Sequence, residues 1–204
     1  GGGPSGLECA LTLARAGHKI TVAEQSSEWG GRVAFESKLT GLASWYRVID
    51  YRLLQLKKMT NVSLFLESRM DLEEILDFGA DYIFIASGSS WRKDGVGSVR
   101  RSEISDFSNY AVLTPDDFPS KKILRDTVTI YDDEHNYMAS TLAEQLAKDC
   151  KKINLISTLP SIATWTQYTL EQQRIKDRLL ELGVNLFTNI FLESWNGLEI
   201  NMSD

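Results

Sequence analysis

The chain has 204 residues, 43% of them hydrophobic and 25% charged, ordinary proportions for a globular protein of one large domain or two small ones. A formal net charge of -6 argues against nucleic-acid and anionic-membrane partners, because neutralising phosphates needs a basic face. No stretch approaches the ~20 apolar residues of a membrane span, and the glycine-rich start does not read as a signal peptide, so a cytoplasmic protein is expected.

Cys9 and Cys150 are far apart and neither belongs to a C-x-x-C pair, so neither a disulfide framework nor a zinc site is expected. Both fall at apolar positions of predicted helices, where cysteine behaves as a small buried hydrophobe. The basic pairs Arg100–Arg101 and Lys121–Lys122 read as solvated loop charges.

The run Gly1-Gly2-Gly3-Pro4-Ser5-Gly6 opens the first element. Leu7, Ala10, Leu11 and Ala14 recur at i, i+3, i+4 and i+7, which predicts a helix to about Ala16 with Gly17 as its terminator. Ile20, Val22 and Ala23 form a short strand closed by Glu24. A loop with Trp29-Gly30-Gly31-Arg32 leads to a predicted helix from Trp45 to Met59, and Val62, Leu64 and Leu66 alternate as a strand. Asp71 and Glu74 have capping-box spacing ahead of a short helix that Gly79 ends. Asp81 to Gly88 reads as a buried strand running into a tight turn at Ser87-Gly88.

From Ser89 to about Lys122 no period is sustained, and Gly95, Gly97, Pro115 and Pro119 interrupt the stretch. It is expected to connect two lobes and to hold some short structure of its own. Val128 and Ile130 then begin a second unit. Its helix runs from about Met138 to Lys148, and Ile153, Leu155 and Ile156 give the next strand. Thr169 and Gln172 again have capping-box spacing, ahead of a helix that stops at Gly183. Val184, Leu186 and Phe187 lead a further strand, and the polar end reads as half a hairpin. Strands separated by helices predict an α/β fold of two Rossmann-like lobes with parallel sheets. The expected boundaries are 1–92 for the first lobe, 93–122 for the connection and 123–204 for the second.

Gly1, Gly3 and Gly6 match G-x-G-x-x-G, in which the glycines supply a tight turn, close backbone approach to a pyrophosphate, and close helix-on-sheet packing. The N-terminus of the first helix, with Pro4 and Ser5 in its first turn, then offers unsatisfied donors and a favourable dipole to an anion. Glu24 ends the second strand at about the ~20-residue distance at which an acid accepts from a ribose 2'-hydroxyl, with Gln25 beside it. An acid there repels a 2'-phosphate. Gly31 could bring backbone close to the same diphosphate and Arg32 could add charge-assisted hydrogen bonds, or the loop merely needs glycine. Ser87 and Gly88 lie either beside the ligand, at the carboxyl edge where open α/β sheets bind, or in a strand-terminating turn.

Together, Gly1 to Gly6, Glu24, Gly30-Gly31-Arg32 and Ala86-Ser87-Gly88 resemble the FAD-binding half of flavoproteins with two dinucleotide-binding domains. The segments Gly41-Leu42 to Trp45, Asp50-Tyr51-Arg52, Asp77 to Asp81 and Gly88-Ser89-Ser90-Trp91 resemble, more narrowly, the trimethylamine and dimethylamine dehydrogenases of the old-yellow-enzyme and dienoyl-CoA reductase group. That resemblance implies lobes like the FAD and NADPH domains of glutathione reductase, the first holding ADP or FAD. It places FMN and a 4Fe-4S cluster in an N-terminal barrel that this sequence lacks. The resemblance also implies contact with that barrel and a homo-oligomeric parent. The first lobe is expected to be incomplete, without the central strand that precedes the glycine turn, and so to expose unpaired edges. The second is expected to be truncated at its C-terminus.

In the second unit, Asp132-Asp133-Glu134-His135 follows the strand where a nicotinamide site would have its glycine turn. No glycine permits close approach and three carboxylates repel a pyrophosphate, so NAD(P)H binding is not expected. Consecutive loop acids are read as solvated rather than as metal ligands, and His135 has no partner nameable from sequence. Trp165 and Tyr168 are read as core or interdomain packing. No catalytic residue is expected in the chain. Two other readings are an active FAD and NAD(P)H reductase pair and a docking or oligomerisation scaffold without nucleotide.

Overall fold

The computed structural model describes residues 1–105, 107, 112–118, 126–150, 152–197 and 199–203. Pro119 and the Lys121–Lys122 pair lie outside the described residues. The chain divides into two compact units, Gly1–Ser89 and Ser90–Asp204.

In the first unit, α1 (Pro4–Arg15) starts from an extended Gly3 and carries Pro4 in its first turn, where proline's missing N–H and fixed φ cost nothing. Leu7, Ala10, Leu11 and Ala14, the predicted face, are its buried residues. The carbonyls of Ala14 and His18 at its far end accept from Asn61 Nδ2 at 2.9 and 2.7 Å, which satisfies groups that a helix end leaves open. Strand β1 (Ile20–Ala23) pairs in parallel with β2 (Val62–Phe65), Ile20 opposite Val62. Between them lie α2 (Arg32–Glu36), a 3-10 turn (Ala43–Tyr46) and α3 (Arg47–Leu56). The single helix expected from Trp45 to Met59 is thus split, because its first turn tightens to 3-10. Ile49 and Leu56 of α3 join the α1 face, Val22 and Val33 in one core. Each fully buried aliphatic side chain there contributes about 1.5–3 kcal/mol. Helix α4 (Leu72–Asp77) has the predicted capping box: Glu74 N–H donates to Asp71 Oδ1 at 3.0 Å, and Asp71 N–H to Glu74 Oε2 at 2.9 Å.

The buried strand expected over Asp81 to Gly88 is a correction. Residues 82–90 form no strand, and Tyr82, Phe84 and Ile85 are 82%, 61% and 84% exposed. An apolar run becomes a strand only when a neighbour completes its ladder, and among the described residues β1 and β2 pair with each other alone.

The second unit holds a parallel sheet of β3 (Thr127–Asp132), β4 (Lys152–Ser157) and β5 (Asn185–Thr188), in the order β3-β4-β5. Helices α5 (Met138–Leu146) and α6 (Gln172–Glu181) connect them, and Ala143, Leu155, Ile162 and Leu179 lie in the shared core. The capping box expected at Thr169 and Gln172 does not form. Thr169 instead ends a 3-10 helix (Thr164–Thr169), Glu171 is the N-cap of α6, and no side chain caps it. Leu170, in the left-handed conformation between the two helices, breaks the geometry the box would need. Gly183, at φ 74°, ends α6 as predicted.

The chain end is a complete antiparallel hairpin, β6 (Phe191–Trp195) with β7 (Ile200–Ser203). It buries Leu192 against Ile104 and Phe107, and the Phe107 ring meets Trp195 edge-on at 6.3 Å. Part of the expected connection therefore packs into the second unit, and it includes a 3-10 turn at Pro115–Asp117. Both units are α/β with parallel sheets, as the alternation of strands and helices implied. Among the described residues no helix is long and apolar enough to cross a membrane. Cys9 and Cys150 are half-buried.

Candidate functional site

The glycine turn of the first unit is held by approaches that side chains would block. A Cβ on Gly1 would lie 2.1 Å from the Ala86 carbonyl oxygen, and one on Gly6 would lie 1.9 Å from that of Gly1. The turn thus sits directly against the segment leading to Ser87 and Gly88. Gly88 has φ 78°, and both residues are exposed. On the other side, Gly30 N–H donates to the Gly2 carbonyl at 2.9 Å, and a Cβ on Gly31 would come within 3.2 Å of Gly3 Cα. Gly31 itself adopts φ 50°, ψ -130°, a combination essentially confined to glycine. Gly3 faces the more open space, where an added Cβ would meet nothing closer than Gly31 Cα at 4.0 Å.

This places two glycine backbones alongside the N-terminus of α1. Pro4 has no N–H, and those of Ser5 and Gly6 have no intrahelical acceptor. The first turn carries no acidic side chain, so its positive end favours an anion.

Glu24 is 7% exposed just beyond β1. Its Oε2 accepts from Gly2 N–H at 2.6 Å and its Oε1 from Ser26 N–H at 2.8 Å. Burial works against its ionisation, but these two backbone donors, with the Ser26 side chain and the positive N-terminus, together outweigh it and hold the carboxyl below its ordinary range. A carboxylate oxygen accepts more than one hydrogen bond, so Glu24 can fix the turn and still receive a hydroxyl. Gln25 is exposed. Arg32 is already engaged: Nη2 donates to the Ser89 carbonyl at 2.6 Å and Nη1 lies 3.7 Å from buried Glu36. Its charge is balanced within the unit.

Sequence reasoning passed over Gly2 and Trp29. A Cβ on Gly2 would meet Trp29 Cε3 at 2.4 Å and Glu24 Cβ at 3.1 Å, so the variable second position of the motif also needs glycine here. The signal was an unbroken run of three glycines together with a tryptophan beside Gly30.

In the second unit the acids at the end of β3 are not solvated. Asp132 and Asp133 are 3% and 7% exposed and His135 is fully buried. Asp132 Oδ1 accepts from the N–H groups of Glu134 and His135 at 3.1 and 2.9 Å, while Asp132 Oδ2 is buried without a partner. Burial pushes the Asp132 carboxyl up, against the pull of those N–H groups, and it pushes Glu134 up as well. Burial and the neighbouring Asp133 charge raise the Tyr131 hydroxyl to about 12. His135 does have partners: Nε2 lies 3.3 Å from Asp133 Oδ1 and 3.1 Å from Thr158 Oγ1. Arg100 is not a solvated charge either. Its Nη1 donates to the Leu192 carbonyl at 2.8 Å.

Trp165 and Tyr168 stack on each other at 6.1 Å and are 49% and 74% exposed, outside the core of their unit. A cavity of about 290 Å³, lined by Tyr137, Ser140, Glu144, Arg174 and Arg178 among others, contains none of the predicted site residues. Among the described residues no group of three or more His, Cys, Asp or Glu is arranged to hold a metal ion.

Two family models match the chain: an NAD(P)-binding Rossmann-like domain over residues 1–67 and an OYE-like second alpha/beta domain over residues 113–203. Dimethylamine dehydrogenase of Hyphomicrobium sp. (strain x) is 30% identical over 194 residues, 91% of this chain and 26% of that protein. The structure of 6-hydroxypseudooxynicotine amine oxidase from Pseudomonas geniculata N1 superposes with a TM-score of 0.96 at 35% identity, covering 100% of this chain and 30% of that one. Histamine dehydrogenase from Rhizobium sp. 4-9 superposes with a TM-score of 0.89 at 36% identity, covering 100% and 32%. The chain thus spans a quarter to a third of the length of these relatives. With its glycine turn, the buried acid after β1 and two Rossmann-like units in series, the chain belongs to the trimethylamine and dimethylamine dehydrogenase-like oxidoreductases of the old-yellow-enzyme group, as a nucleotide-fold region of them.

Proposed function

We propose that the first unit holds an adenine dinucleotide or its half, ADP or the ADP portion of FAD, as part of a larger oxidoreductase whose substrate chemistry lies in other domains. The observation that carries this reading is the glycine cradle: Gly2, Gly3, Gly30 and Gly31 approach one another where any Cβ on Gly2 or Gly31 would intrude. The cradle lies against the unsatisfied N-terminus of α1. The diphosphate would rest on the N–H groups of Ser5 and Gly6, and Glu24 would accept from the ribose. Glu24 also disfavours a 2'-phosphate, so the ligand is of the non-phosphorylated kind.

An ADP supplies no redox chemistry, whereas FAD would bring a flavin ring able to accept electrons. This chain's residues bind and orient in either case, and none is assigned a catalytic role. The second unit is assigned no nicotinamide site, because Asp132 and Asp133 stand where backbone donors would have to meet a pyrophosphate. The rest of the enzyme, a barrel with FMN and an iron-sulfur cluster, would be the contact partner of this region.

Calorimetric titration of the intact protein, freed of bound nucleotide, tests the proposal. Saturable binding of ADP that is weakened by Gly31→Ala is the expected result. Folded protein that binds neither ADP nor FAD would overturn it and leave the scaffold reading.

A further inference from the structure

The carboxylate of Asp133 lies just past β3, where open α/β sheets bind ligand phosphates, yet it is enclosed by its own chain. Val99 N–H lies 3.2 Å from both of its oxygens and Arg100 N–H donates to Oδ2 at 2.9 Å. Thr158 Oγ1 donates to Oδ1 at 3.0 Å, and His135 Nε2 lies 3.3 Å from the same atom. The turn also grips the Asp133 carbonyl, which accepts from Ser98 N–H at 3.0 Å and from Ser98 Oγ at 2.5 Å. Gly97 N–H closes the turn on the Arg100 carbonyl at 2.9 Å. A Cβ on Gly97 would lie 2.2 Å from Asp133 Oδ2 and 2.7 Å from its Cβ. Gly97 is absent from the positive-φ glycines, so it is space for the carboxylate, and not backbone freedom, that requires glycine there.

Consecutive backbone N–H groups converging on one anion, with a hydroxyl and an imidazole completing the shell, are the construction proteins use for phosphates and carboxylates. We propose that the Gly97–Arg100 turn is an oxyanion cradle, that Asp133 is its internal occupant, and that this self-ligation straps the carboxyl edge of the second sheet shut. The occupant class is a carboxylate, and a small free carboxylate is the ligand the cradle takes when Asp133 is removed. The assignment stands apart from the nucleotide reading of the first unit, and its test does not depend on ADP.

The test is chemical rescue in the intact protein. Asp133→Gly vacates the cradle, and the variant is expected to melt several degrees below the parent. It should regain about half of that loss in ~0.1 M formate or acetate, by mass action on the folded state. Parent protein and chloride at equal ionic strength should show no such recovery. Gly97→Ala should be costly in the parent and much less so in the Asp133→Gly background, where the clashing atoms are gone. A variant that keeps the side chain's shape gives a second reading should Asp133→Gly fold poorly. In Asp133→Asn, hydrogen exchange of the peptide spanning Val99 and Arg100 should quicken. Melting of Asp133→Gly that is indifferent to formate, or exchange unchanged in Asp133→Asn, would overturn the proposal.

Discussion

Gly2 N–H donates to Glu24 Oε2 at 2.6 Å, across the gap between the glycine turn and the end of β1. One acid therefore shapes the cradle and, in the proposed function, would also receive the ribose. Because Glu24 is held below the ordinary carboxylate range, its ionised form stabilises the folded state. That contribution is fully present above the unfolded-state pKa and is lost as pH falls through the folded one. Glu24→Gln replaces an acceptor with a donor facing an N–H group, and should cost about 2 kcal/mol at neutral pH. Thermal melts across acidic pH should show the difference from the parent shrinking.

Gly31→Ala meets two penalties at once, a Cβ 3.2 Å from Gly3 Cα and a φ of 50°. Holding alanine there costs roughly 1–3 kcal/mol. If the loop relaxes instead of staying strained, the cradle opens and ADP binding should fall by about tenfold or more. Titration of the variant beside the parent checks this, with circular dichroism to confirm folding.

Asp132 has the opposite sign to Glu24. Burial raises its carboxyl in the folded state, so the cost to stability is full above that pKa, declines as pH falls through it, and is gone below the unfolded-state pKa. Asp132→Asn keeps an oxygen for the N–H groups of Glu134 and His135 while removing the buried charge. It should melt at or above the parent at about pH 8, with the advantage shrinking as the buffer is acidified.

The two capping-box predictions separate cleanly. Asp71→Ala should cost about 1 kcal/mol, since both halves of that box are formed. Helix α6 has no side-chain cap, so Gln172→Ala tests its amide bonds to Ser161 Oγ and the Ile162 carbonyl instead. Denaturant melts should show both variants less stable than the parent, Gln172→Ala through the loop before the 3-10 helix and not through α6's first turn.

What was legible in the sequence was whatever local chemistry decides. The face of α1, the glycines that end helices, the Asp71–Glu74 box and the strand after Gly17 all follow from spacing within a few residues. What was not legible depended on partners far along the chain. Asp133 looked solvated because Val99 and Arg100, which bury it, lie more than thirty residues away. Asp81 to Gly88 looked like a buried strand because its side chains are apolar, but hydrogen-bonded neighbours make a strand and sequence does not display them. Gly2 hid in a variable motif position until Trp29 was seen against it. In the candidate site, Gly1, Gly6, Gly31 and Glu24 proved to be tightly packed, whereas Arg32 turned toward Ser89 and Glu36.

The central claim is that the glycine cradle of the first unit holds an adenine nucleotide. The measurement that meets it most directly is mass analysis of what the purified intact protein releases on denaturation, quantified per chain. The expected result is ADP or FAD in near-stoichiometric amount from the parent and far less from Gly31→Ala. Release of no adenine nucleotide from correctly folded parent protein, before or after incubation with ADP and FAD, would contradict the account.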